Sequence, residues 1–148
     1  MKNIILALVI ALCLLSESMW YNICDISEEE FIYFAQVVEA ESDRAEGCTM
    51  GKIFVAATIW NRVNSSYFPN TVNDVLNQGG QFTTTYDGSC AISSTYGSRM
   101  AVVVSYILLQ NRLIPSNILY FNCIGYQYGT PYDYIEGNYF STYGEVEI

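Results

Sequence analysis

Glu39 and Glu41 stand two residues apart near the end of a segment whose apolar residues, Phe31, Phe34, Ala35 and Val38, recur at helical spacing. A 100° step per residue puts Glu41 between Phe34, Val37 and Val38, at one edge of the apolar stripe. Glu39 falls on the opposite edge, near Ile32 and Ala35. Apolar neighbours and the negative end of a helix dipole both disfavour charge at Glu41. A carboxyl group in such a place suits proton donation to a glycosidic oxygen. Periodicity does not separate the two glutamates, and a lone helix glutamate is ordinarily a solvated surface group.

The rest of the composition narrows the chemistry. Histidine is absent from all 148 residues, which removes a Ser-His-Asp triad, a Cys-His pair and a His-ligated metal. The cysteines are scattered, without the close Cys-x-x-Cys pairs of a zinc site. Gly79-Gly80 is a lone pair in a turn, and no phosphate-loop or dinucleotide motif occurs. No metal and no cofactor are therefore expected, and carboxylates are the acid–base groups left at neutral pH. The net charge is −9, with Lys and Arg totalling 6; a phosphate backbone needs clustered cations, so nucleic acid is not an expected partner. Hydrolysis with two carboxylates needs a second acid across the scissile bond. Asp87 is the nearby candidate, but Asp87-Gly88 already reads as a turn.

The elements that must position these residues are legible in outline. Ser27 with Glu30 forms a capping box, and Glu28 to Glu30 meet the positive end of the helix that ends near Glu41. Residues 43–50 form a polar loop. Gly51 to Val63 is apolar on nearly every side and should be the buried centre of the core. Thr71 and Asp74 start a short helix carrying Val72, Val75 and Leu76. Turn signals at Gly79-Gly80 and Asp87-Gly88, with Thr83 to Thr85 between them, indicate a small hairpin. A third long helix is expected from about Ser98 to Asn111, and a strand from Ile118 to Asn122. Residues 125–148 are dense in Tyr and Gly and read as loops plus a strand at Tyr139-Phe140. The sum is one mostly helical α+β domain.

The amino terminus reads as a secretory signal over residues 1–18: Lys2, an apolar run from Ile4 to Leu15, then small residues at Ser16 and Ser18. The run is shorter than the roughly 20 residues of a spanning helix, so no stable membrane insertion is expected after cleavage. A lipoprotein signal through Cys13 is disfavoured by bulky Leu12; an uncleaved signal anchor is the other alternative. Cleavage leaves Cys24, Cys48, Cys90 and Cys123, an even set that two disulfides would use. Three pairings are possible and the sequence does not choose. Cys90–Cys123, joining the hairpin region to the strand near the site, with Cys24–Cys48, is the preferred expectation.

The order of segments carries more than any one of them. Val38-Glu39-Ala40-Glu41-Ser42 is followed by Gly51-Lys52-x-x-Val55-Ala56-x-x-x-x-Asn61-Arg62-Val63, Phe68-Pro69-Asn70-Thr71 and Gly80-Gln81-Phe82-Thr83. This resembles the bacterial cell wall hydrolase family that includes the spore-cortex-lytic enzymes, with a loop about two residues longer after Glu41. The resemblance implies a lysozyme-like domain for residues 19–148 that cuts peptidoglycan glycan strands at the MurNAc-GlcNAc β-1,4 bond. It assigns catalysis to Glu41, three positions after Val38, and single-acid lytic transglycosylase chemistry that leaves 1,6-anhydro-muramic ends. Gln81 and Thr83 match the family's Gly-Gln-Phe-Ser/Thr segment, and Tyr120-Phe121-Asn122 resembles its aromatic-Asn segment, so Gln81, Thr83, Tyr120 and Asn122 are the expected substrate contacts. Asn61 and Arg62 also match, but capping or an internal salt bridge accounts for them. Ile135 to Phe140 carries Asn or Tyr where the family often has His, which affects a substrate contact rather than the acid. A secreted, monomeric enzyme of the cell envelope is the resulting expectation. The alternatives are a hydrolytic muramidase and an inactive glycan-binding envelope protein.

Overall fold

The computed structural model describes residues 1–82, 85–86 and 89–148. Its elements are α1 (Lys2–Cys13), α2 (Glu17–Ile23), α3 (Glu28–Glu41), α4 (Met50–Asn64), α5 (Val72–Leu76), β1 (Thr85–Tyr86), β2 (Ser89–Cys90), α6 (Tyr96–Gln110), β3 (Ile118–Asn122), β4 (Thr130–Ile135) and β5 (Asn138–Thr142). Gly51 to Arg62 of α4 is buried without interruption, as its all-round apolar sequence requires. Helices α3 and α6 pack on it and on each other. Trp60 is the joint among the three. Its ring meets Phe34 edge-on at 4.8 Å and Tyr106 at 5.2 Å, and its Nε1 donates to Val102 O.

The helix ends follow the sequence. Ser27 and Glu30 form the capping box of α3, and the Thr71 hydroxyl accepts from Asp74 N at the start of α5. A second box, Thr95 with Ser98, starts α6 at Tyr96, two residues before the expected position. β1 and β2 form the expected small hairpin.

The carboxyl-terminal third differs from its expectation. It is a three-stranded antiparallel sheet in the order β3-β5-β4, and β4 is a strand that the sequence does not announce. Pro131 and Asp133 are poor strand residues, and a register shift between them breaks the alternation that would reveal it. Phe121 and Phe140 are cross-strand partners on the inward face, where Phe140 packs on Phe54 at 5.6 Å.

Helices α1 and α2 pack on α6. Trp20 is fully buried and donates to Leu12 O, while Glu17 grips Arg99 with both carboxylate oxygens at 3.0 Å. No helix among the described residues is long and apolar enough to cross a membrane.

All five cysteines are free thiols, so neither expected disulfide is formed. Cys24 lines a depression with Trp60, Val63 and Asn64, whereas Cys48 precedes the first turn of α4. The 15-residue helix between these places spans about 22 Å, far beyond disulfide reach. Cys90 lies on β2, which packs on α3, whereas exposed Cys123 follows β3.

Candidate active site

The two glutamates near the end of α3 have separate surroundings. Glu39 is buried and faces the start of α6 and α4: its Oε2 lies 3.1 Å from Lys52 Nζ and accepts from the Thr95 hydroxyl at 2.9 Å. Lys52, 1% exposed, also donates to Gly47 O at 3.1 Å and to Ala45 O. Buried charges persist only with partners of this kind. The Glu39–Lys52 pair therefore ties the 43–49 loop to three helices. Gly97 in the first turn of α6 belongs to the same contact, since a Cβ there would collide with the Gly47 carbonyl.

Glu41 is half-buried and is the last residue of α3. Its backbone carbonyl, one of the acceptors a helix end leaves open, accepts from Asn138 Nδ2 at 3.1 Å. Asn138 is buried and opens β5. The preceding Glu136-Gly137 both have positive φ, 45° and 96°, so β4 and β5 are joined by a tight two-residue turn. Glu136 Oε2 in turn accepts from Gly51 N at 2.6 Å. A carboxylate thus meets the positive end of α4, and an amide donor meets the negative end of α3. A Cβ at Gly51 would lie 3.0 Å from that carboxylate, which explains glycine there. Three consecutive residues hook the sheet onto both helix ends beside Glu41.

Arg62 connects Glu41 to an open cleft. Its Nε donates to Leu119 O at 2.8 Å and its Nη1 to Gln81 Oε1 at 3.2 Å. The guanidinium lies over the rings of Phe68 and Phe82, 4.9 and 5.4 Å from their centroids. Burial pushes Arg62 down to about 10, opposed by the Tyr120 hydroxyl and the Glu41 carboxylate, so it remains a cation at neutral pH. The cleft encloses about 430 Å³ and is lined by Arg62, Phe68, Gly80, Gln81, Tyr120, Phe121, Asn122, Gln127 and Tyr128. It thus contains three of the four expected substrate contacts. Gln81 is exposed; its carbonyl accepts from Arg62, and its amide NH₂ has no hydrogen-bond partner among the described residues. Tyr120 is half-buried and paired with Tyr128 at 6.0 Å. Asn122 spends its side chain locally: Oδ1 accepts from Ile124 N at 2.7 Å and Nδ2 donates to Gln127 Oε1 at 3.1 Å. It shapes the turn that brings Gln127 into the cleft. Thr83 and Asp87 lie outside the described residues.

Arg62, Gln127, Tyr128 and Asn138 are contributors that sequence reading underrates. Arg62 had a signal, its place in the Asn-Arg-Val motif; its hydrogen bonds go to Leu119 O and Gln81, and the Glu41 carboxylate also acts on its charge. Asn61 does not cap its own helix; it donates to Pro115 O and Ile118 O, tying α4 to the chain as it enters β3.

Residues 47–128 match the sequence profile of the Cell Wall Hydrolase family. This is more than half of the chain, and the protein belongs to that family. The spore cortex-lytic enzyme of Bacillus cereus is 36% identical over 77 residues, covering 52% of this chain and 29% of that enzyme. The chain therefore spans under a third of that relative's length. The crystal structure of the catalytic domain of the Bacillus cereus SleB protein is 25% identical, with a TM-score of 0.60 over 78% of this chain and 91% of that one. The catalytic domain of the germination-specific lytic transglycosylase SleB from Bacillus anthracis is 24% identical, with a TM-score of 0.63 over 79% and 97%. The expected mostly helical α+β fold with a small sheet is the fold of these domains. The family segment begins after Glu41; it includes Arg62, Gln81, Tyr120 and Asn122.

Proposed function

We propose that this protein cleaves the glycan strands of peptidoglycan at the MurNAc-GlcNAc β-1,4 bond, with Glu41 as the single acid and base. The observation that carries this reading is the place of Glu41 at the end of α3, where its carboxylate acts on Arg62, a cation that lines an open cleft. Glu39 is committed to Lys52 and Thr95, while Glu41 stands beside Arg62 and the cleft of Gln81, Tyr120 and Asn122. Protonated Glu41 gives its proton to the glycosidic oxygen as the bond from muramic C1 to that oxygen breaks, and the GlcNAc leaves with a free 4-hydroxyl. Positive charge develops at C1. The muramic 6-hydroxyl then attacks C1, and its proton passes to the Glu41 carboxylate, which restores the acid and leaves a 1,6-anhydro ring. The Gln81 amide NH₂, held by Arg62, donates to the acetamido carbonyl, and Tyr120 packs on a sugar face. Thr83 is assigned a contact beside the reacting sugar on the family motif alone.

The substrate places the enzyme at the cell envelope, reached by secretion and acting as a monomer. Mass spectrometry of the ends of digested strands tests the reaction type. Anhydro-muramic ends, one water lighter than reducing ends, are expected. Only reducing ends would make the protein a muramidase and Asp87 the next residue to change; no cleavage would leave a glycan-binding protein.

A further inference from the structure

We propose that the outward face of the carboxyl-terminal sheet is a second glycan-contact surface continuous with the cleft, on which Tyr134, Tyr139 and Tyr126 carry the sugar rings next to those being cut. The proposal rests on the glycan-strand reading above. Tyr134 on β4, Tyr139 on β5 and Asn122 on β3 are direct cross-strand partners in one row. They share the face opposite Phe121 and Phe140. Tyr134 and Tyr139 lie 4.6 Å apart, and Tyr126 meets Tyr139 edge-on at 5.0 Å. Tyr126 and Tyr134 are 42% and 54% exposed, a costly display of ring surface without a partner.

Asn122 belongs to both the row and the cleft, and its turn carries Gln127 and Tyr128 into that cleft. The row spans about 10 Å across three strands, enough for a polymer to leave the cleft over successive rings. The chemistry of the face selects the occupant. No Lys or Arg occurs after Arg112, while Asp133 and Glu136 flank the row. A phosphate-rich polymer finds no counter-charge there. The C–H faces of a neutral pyranose fit tyrosine rings, and the phenol and amide groups meet its hydroxyls. Tyrosine offers that area at low conformational cost.

The test compares cleavage of polymeric glycan strands with that of a short tetrasaccharide. In the Tyr126→Ala/Tyr134→Ala double variant, kcat/KM on strands should fall about tenfold more than on the tetrasaccharide, mainly through KM. Tyr134→Trp should restore most of the loss. Tyr96→Ala, which removes a 47%-exposed ring that packs on Trp20 away from the sheet, should change neither ratio. Equal losses on both substrates, or no loss, overturn the platform while leaving the cleavage reading intact. If the wild type cuts no glycan, the cleavage reading fails. Retention on insoluble peptidoglycan then decides the platform: weaker retention of the double variant supports it, and equal retention overturns it.

Discussion

On one side of the end of α3 lies a buried cluster of Glu39, Lys52 and Thr95; on the other lies the half-open region of Glu41, Arg62 and Gln81. The residue type and helix are the same, and the positions differ by two. What differs is the company each side chain keeps. The buried glutamate has a lysine and a hydroxyl committed to it, and through Lys52 it holds the loop that follows. The other has its backbone fixed by Asn138 and its carboxylate acting on Arg62, which lines the cleft. A buried carboxylate held by an ammonium and a hydroxyl fits a structural part, whereas a carboxylate at a fixed helix end, acting on a cation that lines an open cleft, fits the acid of the proposed reaction.

The largest effect that sharpens this comparison belongs to the closed side. Lys52→Met leaves Glu39 buried without its counter-charge and should cost about 3–5 kcal/mol of stability. Thermal or urea unfolding measures it, and a loss below 1 kcal/mol would contradict the structural role. Asn138→Ala should cost about 1–3 kcal/mol by leaving the Glu41 carbonyl without its donor. Its activity should fall further than the folded fraction explains, because the end of α3 is no longer pinned. Activity that merely tracks the folded fraction would remove Asn138 from the positioning role. Glu136→Ala, which removes the carboxylate from the α4 terminus, should cost about 0.5–2 kcal/mol by the same unfolding assay.

The smallest effect is read by thiol chemistry. Burial raises Cys48, on the closed side, from 9.0 to about 12, against a smaller opposing pull from Lys52. Cys123, on the open side, is exposed. Alkylation at pH 8 should label Cys123 at least tenfold faster than Cys48. The gap should narrow as pH approaches about 12. The unfolded chain releases the Cys48 proton first, so the stability this thiol contributes is present below about 9 and is lost as pH rises towards 12. Equal labelling rates at pH 8 would mean that α1 does not cover Cys48 as it does here, where Ile5 and Val9 face it across a shallow pocket.

The sequence carried the helices well because their signals are local. The Ser27 box, the apolar periodicity of α3 and the all-round apolar α4 each depend on neighbours within a turn or two. The acid candidate was legible only as one of two, since 3.6-residue periodicity places Glu39 and Glu41 on opposite edges of one stripe without saying which edge meets Lys52. That partner comes from the next helix. β4 was missed for a similar reason: Pro131, Asp133 and the register shift hide its alternation, and its pairing with β5 is decided by the Glu136-Gly137 turn. The preferred Cys24–Cys48 pairing failed because cysteine counting carries no distance. The two residues attach near opposite ends of α4. Arg62 looked like a helix-end residue, and its contacts with Leu119 O and Gln81 required the fold.

Paired substitutions at the two glutamates test the central claim most directly. Glu41→Gln should lower the rate of glycan-strand cleavage by about 10²–10⁴-fold with an unchanged unfolding midpoint. Glu39→Gln should lower the midpoint, while its folded fraction keeps most of the wild-type rate. Near wild-type cleavage by the Glu41→Gln protein, or abolished cleavage by well-folded Glu39→Gln protein, would contradict the assignment of the acid.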